Sequence, residues 1–302
     1  MRYEGEEGAL TETTVTIAGI DLSFLYDEDR TEPGVGENTH PDKETEGIKL
    51  HVHYGPLPQI KPEEIIFDSG QTWAFFRTGH QYVFQNNSLD PDSSPDVFVV
   101  LNPNLISGDI YLDHDPSFGR ELSDPLGWPL NQILMIYLLS LNRGILFHAC
   151  GIDDQGNGYL FLGNSGHGKT TMANLWKKNQ CAVLNDDRIV VREKGDRLWM
   201  YGTPWHGDLA EWSLQGLPIH KIFFLNRGGE NSAVPKNGVE AVSMLIGRSF
   251  PPFWDKKSMS YTMNLCHRLV DKIPCHELRF EPDNKIVGFV RGMPHRSAGQ
   301  RG

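Results

Sequence analysis

The residues with the clearest chemical purpose lie between Tyr159 and Thr171, in the order Gly163-Asn164-Ser165-Gly166-His167-Gly168-Lys169-Thr170-Thr171 after the apolar run Tyr159 to Leu162. Gly163, four residues, then Gly168-Lys169-Thr170 is the spacing of a phosphate-binding P-loop. Glycines admit positive φ, so backbone N–H groups can turn inward around an anion. The helical pattern that follows, Met172 to Trp176, adds free N–H groups and the positive end of a helix dipole. Lys169 can reach the outer phosphates, and the Thr170 hydroxyl can ligate Mg²⁺. Residues 163–171 are therefore the expected nucleotide contacts. His167 stands at a variable position of the loop, so a specific role is not assigned to it. An ordinary glycine-rich turn would not need the full eight-residue match in a strand-to-helix context.

Phosphoryl transfer asks a protein to clamp phosphates, hold metal and position the nucleophile. A carboxylate at a neighbouring strand end must help with the metal. Asp186-Asp187, directly after the apolar run Cys181 to Leu184, has that placement. Adjacent side chains point opposite ways, so one acid can face the metal and the other the acceptor; the residues alone leave open which does which. His148 lies in the strand before the P-loop strand and can support an acidic base or contact the γ-phosphate. Arg188 and the loop Thr203-Pro204-Trp205-His206-Gly207 are candidates for acceptor contact; the loop can equally be structural.

The elements that must position these residues are legible as patterns. Ile145 to Ile152 and Tyr159 to Leu162 read as strands joined by the turn Asp153 to Gly158, which makes them antiparallel neighbours. Leu130 to Leu141, Val239 to Phe250 and Ser258 to Asp271 read as helices, with strands at Ile189–Arg192, Leu198–Tyr201, Ile219–Leu225 and Pro274–Phe280. Upstream, Thr14 to Ile20 alternates like a first strand within the acidic segment, and a series of short alternating segments from Ile48 to Leu112 predicts a small, mostly antiparallel β-domain. His51 and His53 share one strand face; with no third ligand evident, a half-exposed face is expected there rather than a metal site. Asp27 to Glu46 and Pro116 to Pro125 read as loop or linker, and the tail from Arg291 as loose.

Of the net charge of −11, residues 1–46 hold 13 acidic and three basic residues and so account for −10. The remaining chain is close to neutral, which argues against broad nucleic-acid binding. The acidic segment reads as solvated chain. Four cysteines in 302 residues, without metal-like spacing, read as reduced core residues rather than a disulfide framework. No secretory signal is evident, and the longest apolar run, Ile133 to Leu141, is too short to span a bilayer. A cytoplasmic protein without a membrane partner is expected.

His148-Ala-Cys-Gly151, the P-loop and Leu184-Asn-Asp-Asp187, in this order, resemble the catalytic domain of the HPr serine kinase/phosphorylase family. That family shares its fold with ATP-dependent phosphoenolpyruvate carboxykinase and includes HPr-kinase-like enzymes of bacterial peptide gene clusters. The resemblance covers roughly residues 126–285. It implies an α/β fold of α+β mixed-sheet type, with a P-loop catalytic domain at 126–290. Before this come an acidic segment, 1–46, and a β-rich domain, 47–125; a tail, 291–302, follows. It also implies ATP and Mg²⁺ as cofactors, a serine hydroxyl of a protein or peptide as acceptor, and a tendency to oligomerise. Carried over, Asp186 is the general base supported by His148, Lys169 acts on the phosphates, and Asp187 with Thr170 belongs to Mg²⁺. The segment beyond residue 200 does not match the family's HPr-binding segment. Two other readings remain: a small-molecule or carboxykinase-like phosphotransferase, for which Arg188, Arg192 and Arg227 are available to an anionic substrate, and a non-catalytic nucleotide switch.

Overall fold

A computed structural model of the chain describes residues 10–27, 47–87, 89, 95–103, 106–113 and 127–294. The expected linker Pro116–Pro125 and all of the expected loop Asp27–Glu46 except Asp27 lie outside them. The chain is of mixed α/β type and divides into two compact units, Met1–Leu134 and Met135–Gly302.

The first unit is one mixed sheet. Its strands are β1 (Leu10–Ile17), β2 (Ile20–Asp27), β3 (Ile48–Tyr54), β4 (Glu64–Asp68), β5 (Trp73–Thr78), β6 (Gln81–Asn86), β7 (Val97–Leu101) and β8 (Ser107–Leu112), in the spatial order β1-β2-β3-β8-β7-β6-β5-β4. Two pairings are parallel, β2 with β3 and β3 with β8; the others are antiparallel. The strand expected over Thr14–Ile20 is cut by a two-residue turn. Ala18 and Gly19 both take positive φ, 53° and 76°, the conformation whose twist suits a tight hairpin. The chain then returns as β2, with Asp27 as its last residue rather than the start of a loop. In β3 the alternation is clean: Leu50 and Val52 are buried on one face, and His51 and His53 stand on the other.

Helix α1 (Leu130–Ser140) spans the division between the units. The second unit then runs β9 (Ile145–Asp154), β10 (Asn157–Leu162), α2 (Lys169–Lys178), β11 (Ala182–Asn185), β12 (Arg188–Lys194), β13 (Arg197–Gly202), β14 (Gly216–Arg227), β15 (Ser232–Lys236), α3 (Gly238–Ile246), α4 (Lys256–Lys272), β16 (Cys275–Phe280) and α5 (Lys285–Gly292). β9 and β10 form the expected antiparallel hairpin. The order β10-β9-β12-β13-β14 closes on itself, because β14 also pairs in parallel with β10. The long strand β14 makes this possible. Its first residues, Gly216–Pro218, pair with β13, and Ile219–Phe224 pair with β10. At the changeover a Cβ on Gly158 would lie 2.3 Å from the Pro218 carbonyl oxygen, so only glycine lets the strands approach there.

β10 and β14 are buried on both faces, which explains their near-continuous apolar runs. Leu160, Leu162, Ile222 and Phe224 pack on one side with Leu245 of α3 and Leu265 and Leu269 of α4. Tyr159, Phe161, Phe223 and Leu225 pack on the other with Trp176 of α2 and Ile286, Val287 and Val290 of α5. The sequence reading lacked β15 and α5. Arg291, expected to open a loose tail, is helical and donates Nε–H and Nη2–H to the two Asp154 carboxylate oxygens at 2.9 and 2.7 Å; residues 295–302 lie outside the described residues. Cys150, Cys181, Cys266 and Cys275 are free and buried. No helix among the described residues is long and apolar enough to cross a membrane.

Candidate active site

β10 ends at Leu162 and the chain turns through Gly163–Gly168 into α2. Gly166 and Gly168 hold φ of 77° and 94°, which a side chain would oppose. No side chain caps the start of α2, and Gly168, Lys169, Thr170 and Thr171 of its first turn line a cavity, the placement an anion site at a helix N-terminus requires. That cavity has a volume of about 350 Å³. Ser165, Gly166, Gly168, Lys169, Thr170 and Thr171 form one wall; His148, Asp186, Asp187, Gly207 and Asp208 form the other.

Lys169 is almost fully buried. Its ammonium donates to the Gly163 carbonyl at 3.0 Å and the Asn164 carbonyl at 3.5 Å. Burial pushes its pKa below the ordinary lysine value, against the opposing pull of Asp187 and Asp186. Gly163 and Asn164 therefore act through Lys169 and do not line the cavity. His167 turns away from it, with Nδ1 3.1 Å from the Leu225 carbonyl oxygen.

The two acids of the pair take different partners. Asp186 is 1% exposed. It accepts from the Thr170 hydroxyl at 2.9 Å and from the backbone N–H groups of Gly207 and Leu209 at 2.8 and 3.3 Å. Asp187 faces the other way. His148 Nε2 lies 2.8 Å from its Oδ1, and Arg188 closes on its Oδ2. Burial pushes Asp187 up, but the His148 hydrogen bond and the charges of Arg188, His148 and Lys169 outweigh it and hold the carboxyl below the usual carboxylate range. These pairings invert the expected ones, in which His148 served Asp186 and Thr170 shared metal with Asp187. The reason is strand register. Arg188 pairs directly across from His148, and the Asp187 carbonyl accepts from Ala149 N–H at 3.1 Å, so Asp187 sits over His148 and its predecessor turns toward α2.

Asn185, a residue without an assigned role in the sequence pattern, organises this turn. It is fully buried. Its Oδ1 accepts from the N–H groups of Asp187 and Arg188 at 2.7 and 2.8 Å, and its Nδ2 donates to the carbonyls of Thr203 and Trp205 at 2.8 and 3.2 Å. An Asn directly before two acids is the signal for such an Asx turn. The Thr203–Gly207 loop is thereby tied to the acid pair, but not through the expected residues. Thr203 is buried and donates to the Arg188 carbonyl at 2.9 Å. His206 is exposed, its Nδ1 2.9 Å from the neighbouring Gly207 carbonyl. Thr203, Trp205, His206 and Arg188 do not line the cavity; Gly207 and Asp208 do. Arg188 instead lies between Asp187 and the Phe250 ring, whose centroid is 4.5 Å from its guanidinium carbon. Phe250 also stands beside His148, ring centroids 6.3 Å apart.

The donor set fits a hard divalent cation beside a phosphate. The Thr170 hydroxyl and an Asp186 carboxylate oxygen lie in hydrogen-bond contact, close enough to serve one Mg²⁺ as two of its oxygen ligands. The buried Lys169 and the open helix terminus supply positive charge for phosphate oxygens.

No protein-family model matches this sequence, and no curated protein does. Among solved structures, the Hpr(Ser) kinase/phosphatase from Coxiella burnetii aligns at 10% identity and a TM-score of 0.30, covering 48% of this chain and 93% of that one.

Proposed function

We propose that the second unit is an ATP- and Mg²⁺-dependent kinase that transfers the γ-phosphoryl group to a hydroxyl, most simply a serine of a protein or peptide. The observation that carries this reading is the convergence of Lys169, Thr170 and the divided pair Asp186 and Asp187 on one cavity. The serine acceptor rests on the motif resemblance alone. The P-loop N–H groups and Lys169 would hold the phosphates. Thr170 and Asp186 would hold Mg²⁺, which when bound neutralises charge on the phosphate oxygens. Asp187, ionised and oriented by His148 and Arg188, would accept the proton as the acceptor oxygen bonds to phosphorus and the bond to the ADP oxygen breaks. His148 can share that proton through its 2.8 Å contact.

Among the described side chains, Arg188 and Arg192 do not favour the carboxykinase-like alternative. Arg188 is engaged by Asp187 and Phe250, and Arg192 is buried with its Nε–H donated to the Arg143 carbonyl at 2.8 Å. Neither faces the cavity as a receptor for an anionic substrate.

The test is label transfer from γ-labelled ATP with Mg²⁺ to serine peptides, HPr, free serine and cell lysate, with Lys169→Ala as control. Label on a protein or peptide that disappears in the control supports the proposal. Label on free serine alone would move the assignment to a small-molecule kinase. Nucleotide binding without transfer to any acceptor would refute catalysis in favour of a switch.

A further inference from the structure

The first unit carries a cluster that the kinase reading does not use. In the parallel pairing of β3 with β8, His51 lies directly across from Asp109 and His53 across from Tyr111. All four side chains stand on one face, since Leu50, Val52, Ile110 and Leu112 fill the other as buried core. Asp109 is the third ligand that the sequence did not reveal. It reaches His53, with Oδ1 2.8 Å from Nε2, and ligand atoms of His51, His53 and Asp109 all lie within 4.8 Å of one another.

We propose that His51, His53 and Asp109 form a site for a divalent transition metal of the zinc class. Two imidazole nitrogens and one carboxylate oxygen suit Zn²⁺, Co²⁺ or Ni²⁺ rather than Mg²⁺ or Ca²⁺, which prefer oxygen. Zinc bonds of about 2.0–2.2 Å put tetrahedral ligand atoms roughly 3.3–3.6 Å apart, a small contraction from the 4.8 Å within which these three already lie. The ring of Tyr111 stacks on His53 with centroids 4.8 Å apart and an 18° interplanar angle. Tyr111 in turn packs against the buried cluster of Phe76, Val83, Phe98 and Val100. One ligand is thus held in orientation by an apolar support, the role outer groups play at metal centres. The His53 and Asp109 side chains are 41% and 33% exposed, so the fourth position opens to water. Three protein ligands with one open position is the arrangement of a site that can exchange or present its ion. The ion would also cross-link side chains of β3 and β8, paired strands whose chain connection is the long excursion β4–β7.

The full chain, stripped with EDTA and dialysed, is titrated with Co²⁺. The expected result is one equivalent bound with the visible d–d bands of a tetrahedral or five-coordinate ion, displaced by Zn²⁺ and not by Mg²⁺. Removing a direct ligand by His51→Gln, His53→Gln or Asp109→Asn should weaken binding by at least the roughly 10–100-fold seen for outer-shell changes. Zinc should raise the unfolding temperature of the unsubstituted chain and not of these variants. Circular dichroism of the metal-free proteins checks folding, and if one variant fails to fold the other two carry the test. Absence of the bands, or equal affinity in the three variants, overturns the site. So does binding that survives them but is lost in Asp186→Asn, which would locate the ion in the cavity of the second unit.

Discussion

The inverted pairing of the two acids makes a sharp prediction about which carboxylate does what. In Asp187→Asn the side-chain volume is kept, but the charge proposed to receive the acceptor proton is lost and Arg188 loses its ion partner. General-base contributions are worth about 10²–10⁴ in rate, or roughly 3–5 kcal/mol of barrier. The turnover of Asp187→Asn should fall by that amount while ATP affinity stays within a few-fold, because Asp187 is not proposed to hold phosphate or metal. Asp186→Asn should behave differently. Its carboxylate takes three donors in a site 1% exposed. An amide must turn its NH₂ toward at least one of them, leaving a buried donor unsatisfied at a cost of about 1–3 kcal/mol. That variant should unfold at lower denaturant and need more Mg²⁺ to reach its maximal rate. The assay is single-turnover label transfer across a Mg²⁺ titration, alongside calorimetric nucleotide binding and urea unfolding. If Asp187→Asn transfers label at near-normal rate while Asp186→Asn folds, binds ATP and transfers nothing at any Mg²⁺ concentration, the base is Asp186 and the reasoning from register fails.

Three further outcomes follow from the same geometry. Gly168→Ala places a Cβ 2.9 Å from the Phe280 ring at φ 94°; it should cost about 1–3 kcal/mol in urea unfolding and weaken ATP binding by shifting the start of α2. Asp154→Asn breaks the paired hydrogen bonds to Arg291. These bonds, ahead of opposing burial, hold the Asp154 carboxyl below the usual carboxylate range. A depressed folded pKa stabilises above the unfolded value, about 3.9, and that contribution is lost as pH falls through the folded one. The variant should therefore lose stability at neutral pH and show a shallower decline below about pH 4. With Arg291 41% exposed, screening keeps the loss nearer about 1–2 kcal/mol than that of a fully buried pair. Phe250→Leu removes the ring under Arg188, an interaction worth about 0.5–2 kcal/mol; it should lower kcat several-fold and lower stability by no more than that amount, whereas an unaltered kcat would show that Arg188 needs no support from Phe250.

What could be read in the sequence was what chemistry forces into contiguous residues. The P-loop spacing, the β9–β10 hairpin and the two-sided burial of β10 are local, and each left a local pattern. The difference in partners between Asp186 and Asp187 is not local. It depends on Arg188 lying across from His148, a register between strands that no periodicity records. Alternation said that the acids diverge but not which way each faces. Helix α5 escaped because it spans only eight residues and opens after the polar run Glu281–Asn284, and Pro235 within β15 argued against a strand that proves tolerable at the end of the sheet order. The same logic separates the two chemical clusters. His51 and His53 announced a shared face by spacing alone, but Asp109, 56 residues beyond His53, joins them only because β3 and β8 pair in parallel, which obliges the chain to travel away and return. In the second unit the parallel pairing of β14 with β10 closes the sheet in the same way. Parallel pairing brings distant segments side by side with their directions matched, and in both units the strands so joined carry or adjoin the candidate site residues. Substitutions that disturb register along β3 or β14 should therefore impair the adjoining site even where they touch none of its ligands.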